Sequence, residues 1–116
     1  MKILINIKAQ SEMPYVTNDF YTYDKDGNLV FDIVNANNDL FTKMVLVHAI
    51  VEEAITEYKG VTAEQITKWD LDHDDAEEPG ELPDAPYRDA HMTAKAIEML
   101  ICAQLGIDWN AYQGGL

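Results

Sequence analysis

The order and spacing of apolar residues predict an α+β fold: a small, mostly antiparallel β-sheet packed against two main helices, in a single domain over residues 1–116. Three observations carry this. The amino-terminal segments are short, rich in β-branched residues and alternate with period two, whereas residues 39–59 and 90–105 repeat their apolar positions at the helical period. Asp26-Gly27, a strong turn dipeptide, joins two of the strand segments. A chain of 116 residues is long enough for one sizeable core and too short for two.

Residues 2–8 form the first expected strand, ending before Pro14. Residues 20–24 and 29–34 flank the Asp-Gly turn as a hairpin, with Leu29, Phe31 and Ile33 on one face. A central helix follows over 39–59, capped by Asn38 or Asp39 and closed by Gly60. On it Phe41, Met44, Val45, His48, Glu52 and Ile55 share one face, while Glu53 falls on the far, solvated side. Thr62-Ala63-Glu64-Gln65 is a capping box that starts a short helix carrying Trp69. Residues 70–89 hold nine acidic residues against Arg88 alone, with prolines at 79, 83 and 86, and read as a loop that is either a lid or a mobile excursion. Asp89 is the expected cap of a third main element over 90–105, with Ile97, Leu100, Ile101 and Leu105 as its apolar stripe and Gly106 at its exit. In the tail, Trp109 packs back on the core and residues 113–116 fray.

A net charge of -13, from 8 Lys plus Arg against 21 Asp plus Glu, repels nucleic-acid phosphate and anionic lipid and favours cations and basic protein surfaces. No apolar run approaches the roughly 20 residues of a membrane-spanning helix. The amino-terminal segment reads as a strand and not a signal peptide. With Cys102 as the single cysteine, set in a helical apolar pattern, a buried thiol in a reducing, cytoplasmic setting is expected.

The most informative pair is His48 and Glu52, one helical turn apart on the central helix. At about 100° per residue, Glu52 lies about 40° from His48 around the helix axis and Glu53 about 140° away, which selects Glu52 as the partner carboxylate. Imidazole nitrogen and carboxylate oxygen are donors that zinc accepts, and His91, at the start of a helix expected to pack on the same core, is the candidate third ligand. His73 lies among Asp72, Asp74 and Asp75 and is the weaker candidate. Glu98, two turns beyond His91, is placed to orient a ligand imidazole. The alternative for His48 and Glu52 is a hydrogen-bonded pair in the core with no ion. Asp24-Lys25-Asp26-Gly27-Asn28 lacks the helical flanks and terminal Glu of a calcium loop and is assigned to the hairpin.

His48-x-x-x-Glu52-Glu53-Ala54, Gly60-Val61-Thr62, Trp69-Asp70, Pro79-Gly80, the run from Asp84 to Ala94 with Pro86-Tyr87 and His91, Ile97-Glu98 and Leu105-Gly106-Ile107-Asp108-Trp109 together resemble an uncharacterised family of small bacterial and phage proteins. The resemblance covers residues 28–112 and implies a minimal zincin-like domain with His48, Glu52 and His91 as metal ligands. Family members carry Glu directly after the first His, where this chain has Ala49. A methyl group can neither take nor return a proton, so the expectation is a zinc-binding relative with weak or no hydrolase activity unless a loop acid such as Asp75 or Asp84 substitutes. The alternative function is an acidic interaction module, of a kind that can imitate nucleic acid, that binds a basic protein through residues 70–89.

Overall fold

The computed structural model describes all of residues 1–116. Its elements in chain order are β1 (Ile3–Lys8), β2 (Asp19–Tyr23), β3 (Leu29–Val34), α1 (Asp39–Lys59), α2 (Ala63–Asp72), α3 (Arg88–Leu105) and α4 (Trp109–Gly114). The architecture is α+β, with the two long helices α1 and α3 lying against each other and α1 covering the sheet.

The sheet has the order β1-β3-β2 and is mixed. Strands β2 and β3 pair antiparallel, from Asp19 opposite Ile33 to Tyr23 opposite Leu29. Their turn is closed by Asp24, whose carboxylate accepts from the backbone N–H groups of Asp26 and Asn28, each at 2.9 Å, while Gly27 takes φ +78°. Strand β1 runs parallel to β3, from Ile3 opposite Leu29 to Lys8 opposite Val34. A hairpin is specified by its own turn, but the direction of a pairing formed across 26 residues is set by the whole fold. Because β1 and β2 flank β3, residues 9–18 must cross the carboxyl end of β3. The crossing is fastened there by Val34 N–H donating to Asn18 O at 2.9 Å and Asn35 N–H donating to Lys8 O at 2.8 Å.

The main core gathers Tyr21, Leu29, Phe31 and Ile33 from the sheet, Val45 and Ala49 from α1, Ala63 and Ile66 from α2, and Ala85 and Tyr87 beyond it. Strand β1 contributes hydrogen bonds and little core, since Ile3, Leu4, Ile5 and Ile7 are all exposed. Helix α1 is capped by the Asn38 side chain, which accepts from Phe41 N–H at 3.1 Å, and ends on Gly60 at φ +76°. Glu53 stays partly exposed and accepts from the Tyr23 hydroxyl at 2.7 Å. The capping box at α2 is closed in both directions by Thr62 and Gln65.

Helix α3 departs from expectation twice. It begins at Arg88, so Asp89 lies in its first turn and Tyr87 stands at the cap position without a side-chain bond to the helix's own N–H groups. Its buried line is Ala90, Ala94, Glu98 and Cys102, whereas Leu100 and Leu105 are 68% and 52% exposed. Small side chains let α3 approach α1 closely, and Glu98 is tolerated inside because both of its oxygens have partners. Cys102 packs with Met44 and Tyr112 in a second, smaller core cluster that Trp109 flanks. The tail is docked as α4 instead of frayed. Asp108 caps it by accepting from Ala111 N–H at 3.0 Å, and Gly115 lies so close to Phe41 that a Cβ would meet its ring at 2.9 Å.

The acidic segment is also ordered. Trp69 Nε1 donates to Pro79 O at 2.9 Å, a 3-10 turn spans Pro79–Glu81, and His73 stacks on Trp69 with ring centroids 3.7 Å apart.

The reassigned face of α3 gives a direct test by urea denaturation. Leu100→Ser is expected to change stability by no more than about 0.5 kcal/mol. Ala94→Leu is expected to cost about 1–3 kcal/mol through overpacking.

Candidate metal centre

Helical spacing puts His48 and Glu52 on the buried side of α1, and the close packing of α3 brings His91 against them. The two imidazole centroids are 5.0 Å apart. A single atom, Glu52 Oε2, lies 2.9 Å from His48 Nε2 and 3.2 Å from His91 Nδ1. These three donor atoms all lie within 4.8 Å of one another, so buried His48 and Glu52 with partly buried His91 can hold a metal ion. A tetrahedral ion at roughly 2.0–2.2 Å from each donor separates its ligands by about 3.4 Å. The Glu52 oxygen therefore stands within about half an ångström of ligand spacing from each ring nitrogen.

Each imidazole is held on its other nitrogen by a carboxylate. Glu98 Oε1 contacts His48 Nδ1, and Glu98 Oε2 accepts from the Tyr112 hydroxyl at 2.5 Å. Glu81 Oε2 lies 3.4 Å from His91 Nε2, and Lys95 Nζ clamps Glu81 at 2.9 and 3.0 Å. Glu98 thus orients His48 on the facing helix and not its helical neighbour His91. A second group, Glu78, Glu81 and His91, also brings donor atoms within 4.8 Å. There the Lys95 ammonium already supplies the positive charge, which leaves the first group as the candidate for an ion.

Electrostatics follow from these contacts. Burial disfavours the charged form of His48, but hydrogen bonds to Glu52 and Glu98 outweigh it and push its pKa up to about 11. For His91 burial likewise opposes the charge, and Glu52 and Glu78 raise the pKa to about 9. Burial alone would raise Glu52, yet its bonds to both imidazoles hold it below the usual carboxylate range. Without an ion, the site is a carboxylate shared between two protonated rings.

Two clefts, of about 630 and 520 Å³, converge on His48 and His91, and Asp19 lines both. The larger also exposes Asp70, which accepts from the hydroxyls of Tyr15, at 2.7 Å, and Tyr87. Burial raises Asp70, and it raises Asp19 to about 7 with His48 opposing. Neither Asp75 nor Asp84, the loop acids that spacing suggested as proton carriers, lines either cleft. Both are exposed. Ala49 is 1% exposed in the apolar core and lines neither cleft. His73 is turned to Trp69, its Nδ1 2.8 Å from Trp69 O.

Sequence reasoning did not find Asp19, Asp70, Glu81, Lys95 or Tyr112. Lys95 had a local signal, since it stands one turn after His91 on the same helix; the others are brought in by tertiary packing alone. Gly80 belongs with them. A Cβ there would stand 2.8 Å from Tyr87 Cε2 and 3.0 Å from His91 Cγ, so only glycine lets this backbone close over the imidazole.

No protein family, curated protein sequence or solved structure matches the chain.

Two outcomes are expected. Gly80→Ala should displace the His91 ring, seen as a shift of its NMR signals, and cost about 1–3 kcal/mol. The metal-free protein should also lose stability as pH rises. Both imidazoles have folded values above their ordinary 6.5, so their contribution is full below about pH 6.5 and is lost as pH rises through 9 for His91 and 11 for His48. Urea midpoints across pH 6.5–9 should fall, and His91→Gln should flatten that decline.

Proposed function

We propose that the protein binds one zinc ion through His48 Nε2, Glu52 Oε2 and His91 Nδ1, in a zincin-like arrangement with little or no hydrolytic turnover. One observation carries this reading: both imidazoles present a nitrogen to the same point while a carboxylate, Glu98 or Glu81, holds the opposite nitrogen. Ligating histidines are fixed in this way, because a carboxylate on the far N–H sets the tautomer and raises the basicity of the donor nitrogen. A core that only needed to neutralise two imidazoles would require two carboxylates and not three.

A zinc ion held there would supply Lewis acidity and lower the pKa of a coordinated water. The chain's own residues set what can follow. Glu98, braced by Tyr112, fixes the His48 ring; Lys95 fixes Glu81 and through it His91. Helices α1 and α3 exclude water on the buried side, and the clefts admit it on the other. The position that carries a general base in active zincins is Ala49, packed in the core, so proton removal is poorly served and hydrolysis is slow or absent.

Elemental analysis after zinc exposure and dialysis tests the assignment. The wild type is expected to retain one equivalent, and His48→Ala, Glu52→Ala and His91→Ala each to lose it. Wild-type protein that retains none removes the proposal. Glu98→Gln should keep the ligands and weaken zinc by about 10–100-fold. Zinc affinity should rise with pH, because the ion displaces protons from both rings.

A further inference from the structure

Strand β1 is an open edge of the sheet. Leu29 N–H donates to Lys2 O at 3.0 Å and Asn35 N–H donates to Lys8 O at 2.8 Å, so in this parallel pairing the even-numbered residues turn their backbone groups toward β3. Ile3, Ile5 and Ile7 turn theirs outward, where no strand meets them. Such an edge is a template for a further strand unless charge, a bulge or a covering element blocks it. At the opposite edge β2 lies beside α2, whereas no helix packs substantially on β1.

The side chains on this edge continue the core face. Ile3, Ile5 and Ile7 stand level with Leu29, Phe31 and Ile33 of β3 and point to the same side of the sheet. The β3 row is buried, but Ile3, Ile5 and Ile7 are 53%, 44% and 48% exposed, so the core row runs on uncovered to the rim. The opposite face is polar, with Asn6 and Lys8 both on Asp32, except for Leu4, which is 42% exposed. Residues 1–11 carry two lysines and no acid, which spares this edge the negative charge that the rest of the chain sets against a second copy. The lysines in turn penalise any register that places Lys2 and Lys8 opposite each other.

We propose that the chain forms a two-fold dimer through antiparallel pairing of β1 with β1 of a second copy, centred on Leu4. In that register Ile3 of each copy lies opposite Ile5 of the other, and these residues exchange the backbone hydrogen bonds that they turn outward. Leu4 meets its twin in a non-hydrogen-bonded pair, where opposed side chains stand closest. Lys2 falls opposite Asn6, whereas centring on Ile5 would put it against Lys8. The two isoleucine rows then join into one apolar strip on a six-stranded sheet, and because the pairing uses up both β1 edges, assembly closes at two copies. A strand from another protein would need an apolar row on one face and an apolar residue opposite Leu4 on the other; β1 itself supplies both. The side chains of Ile3, Leu4, Ile5 and Ile7 offer roughly 400 Å² per copy, about half of one side of a standard interface, which makes the dimer a reversible one. No residue of the ion site takes part.

Sedimentation equilibrium from about 1 µM to 1 mM chain tests it, with amide hydrogen exchange at both ends of that range. The mass is expected to rise from one chain to two and no further. The amides of Ile3 and Ile5 should exchange freely in dilute protein and slow about tenfold or more in concentrated protein, while those of Leu4 and Asn6, turned to β3, change little. Leu4→Lys sets two ammonium groups at the two-fold axis, on a side chain that the single chain leaves exposed. It should weaken association about tenfold or more, with the thermal midpoint of dilute protein and its zinc content the same as in the wild type. Should that variant fail to fold, the amide pattern of the wild type decides alone. A single chain throughout the range overturns the proposal and leaves the edge to a strand of another protein. A dimer whose Ile3 and Ile5 amides stay free, or one that Leu4→Lys leaves intact, overturns it equally.

Discussion

One carboxylate oxygen, Glu52 Oε2, is shared between the rings of His48 and His91, and the packing of α1 against α3 is organised around it. A carboxylate in that position has lost most of its water, and removing one member of such a buried set costs about 3–5 kcal/mol. What makes burial tolerable is that charge is matched on every side. Glu52 faces two imidazoles, each imidazole faces a second carboxylate, and those carboxylates are held by Tyr112 and Lys95. No buried side-chain polar atom in the molecule is left unpartnered.

The same chain of contacts ties distant parts of the sequence to the centre. Tyr112 is fully buried in a six-residue helix at the end of the chain, and its hydroxyl reaches Glu98. Trp69 holds Pro79, which places Gly80 against His91 and Glu81 within reach of both His91 and Lys95. The acidic segment that looks like solvated surface in composition therefore divides its charge. Asp70, Glu78 and Glu81 turn toward the centre, whereas Asp74, Asp75 and Asp84 remain exposed.

The parts legible in the sequence are those fixed by local rules. The Asp-Gly hairpin, the capping box at Thr62 and the helix exits at Gly60 and Gly106 need only neighbours along the chain, and helical spacing alone chose Glu52 over Glu53. The stripe on α3 is not legible from hydrophobicity, which does not mark burial on this helix. Here closeness to α1 is the constraint, and it selects alanines and a satisfied glutamate over leucines. The parallel direction of β1 and the arrival of Asp19, Asp70 and Glu81 have no local signature, since each depends on contacts across tens of residues. The imidazole at position 91 was legible as a candidate from its place at a helix start, but not its distance from position 48.

The sheet order has a mechanical consequence. Strand β1 shields almost nothing, yet it is the post to which the crossing segment is tied, and that segment delivers Tyr15 and Asp19 to the cleft wall. Trimming the chain through Lys8 would take away the Lys8 carbonyl that Asn35 holds and set one bank of the cleft adrift. The least sheltered strand thus fixes the shape of the opening from a distance, through its pairing along β3.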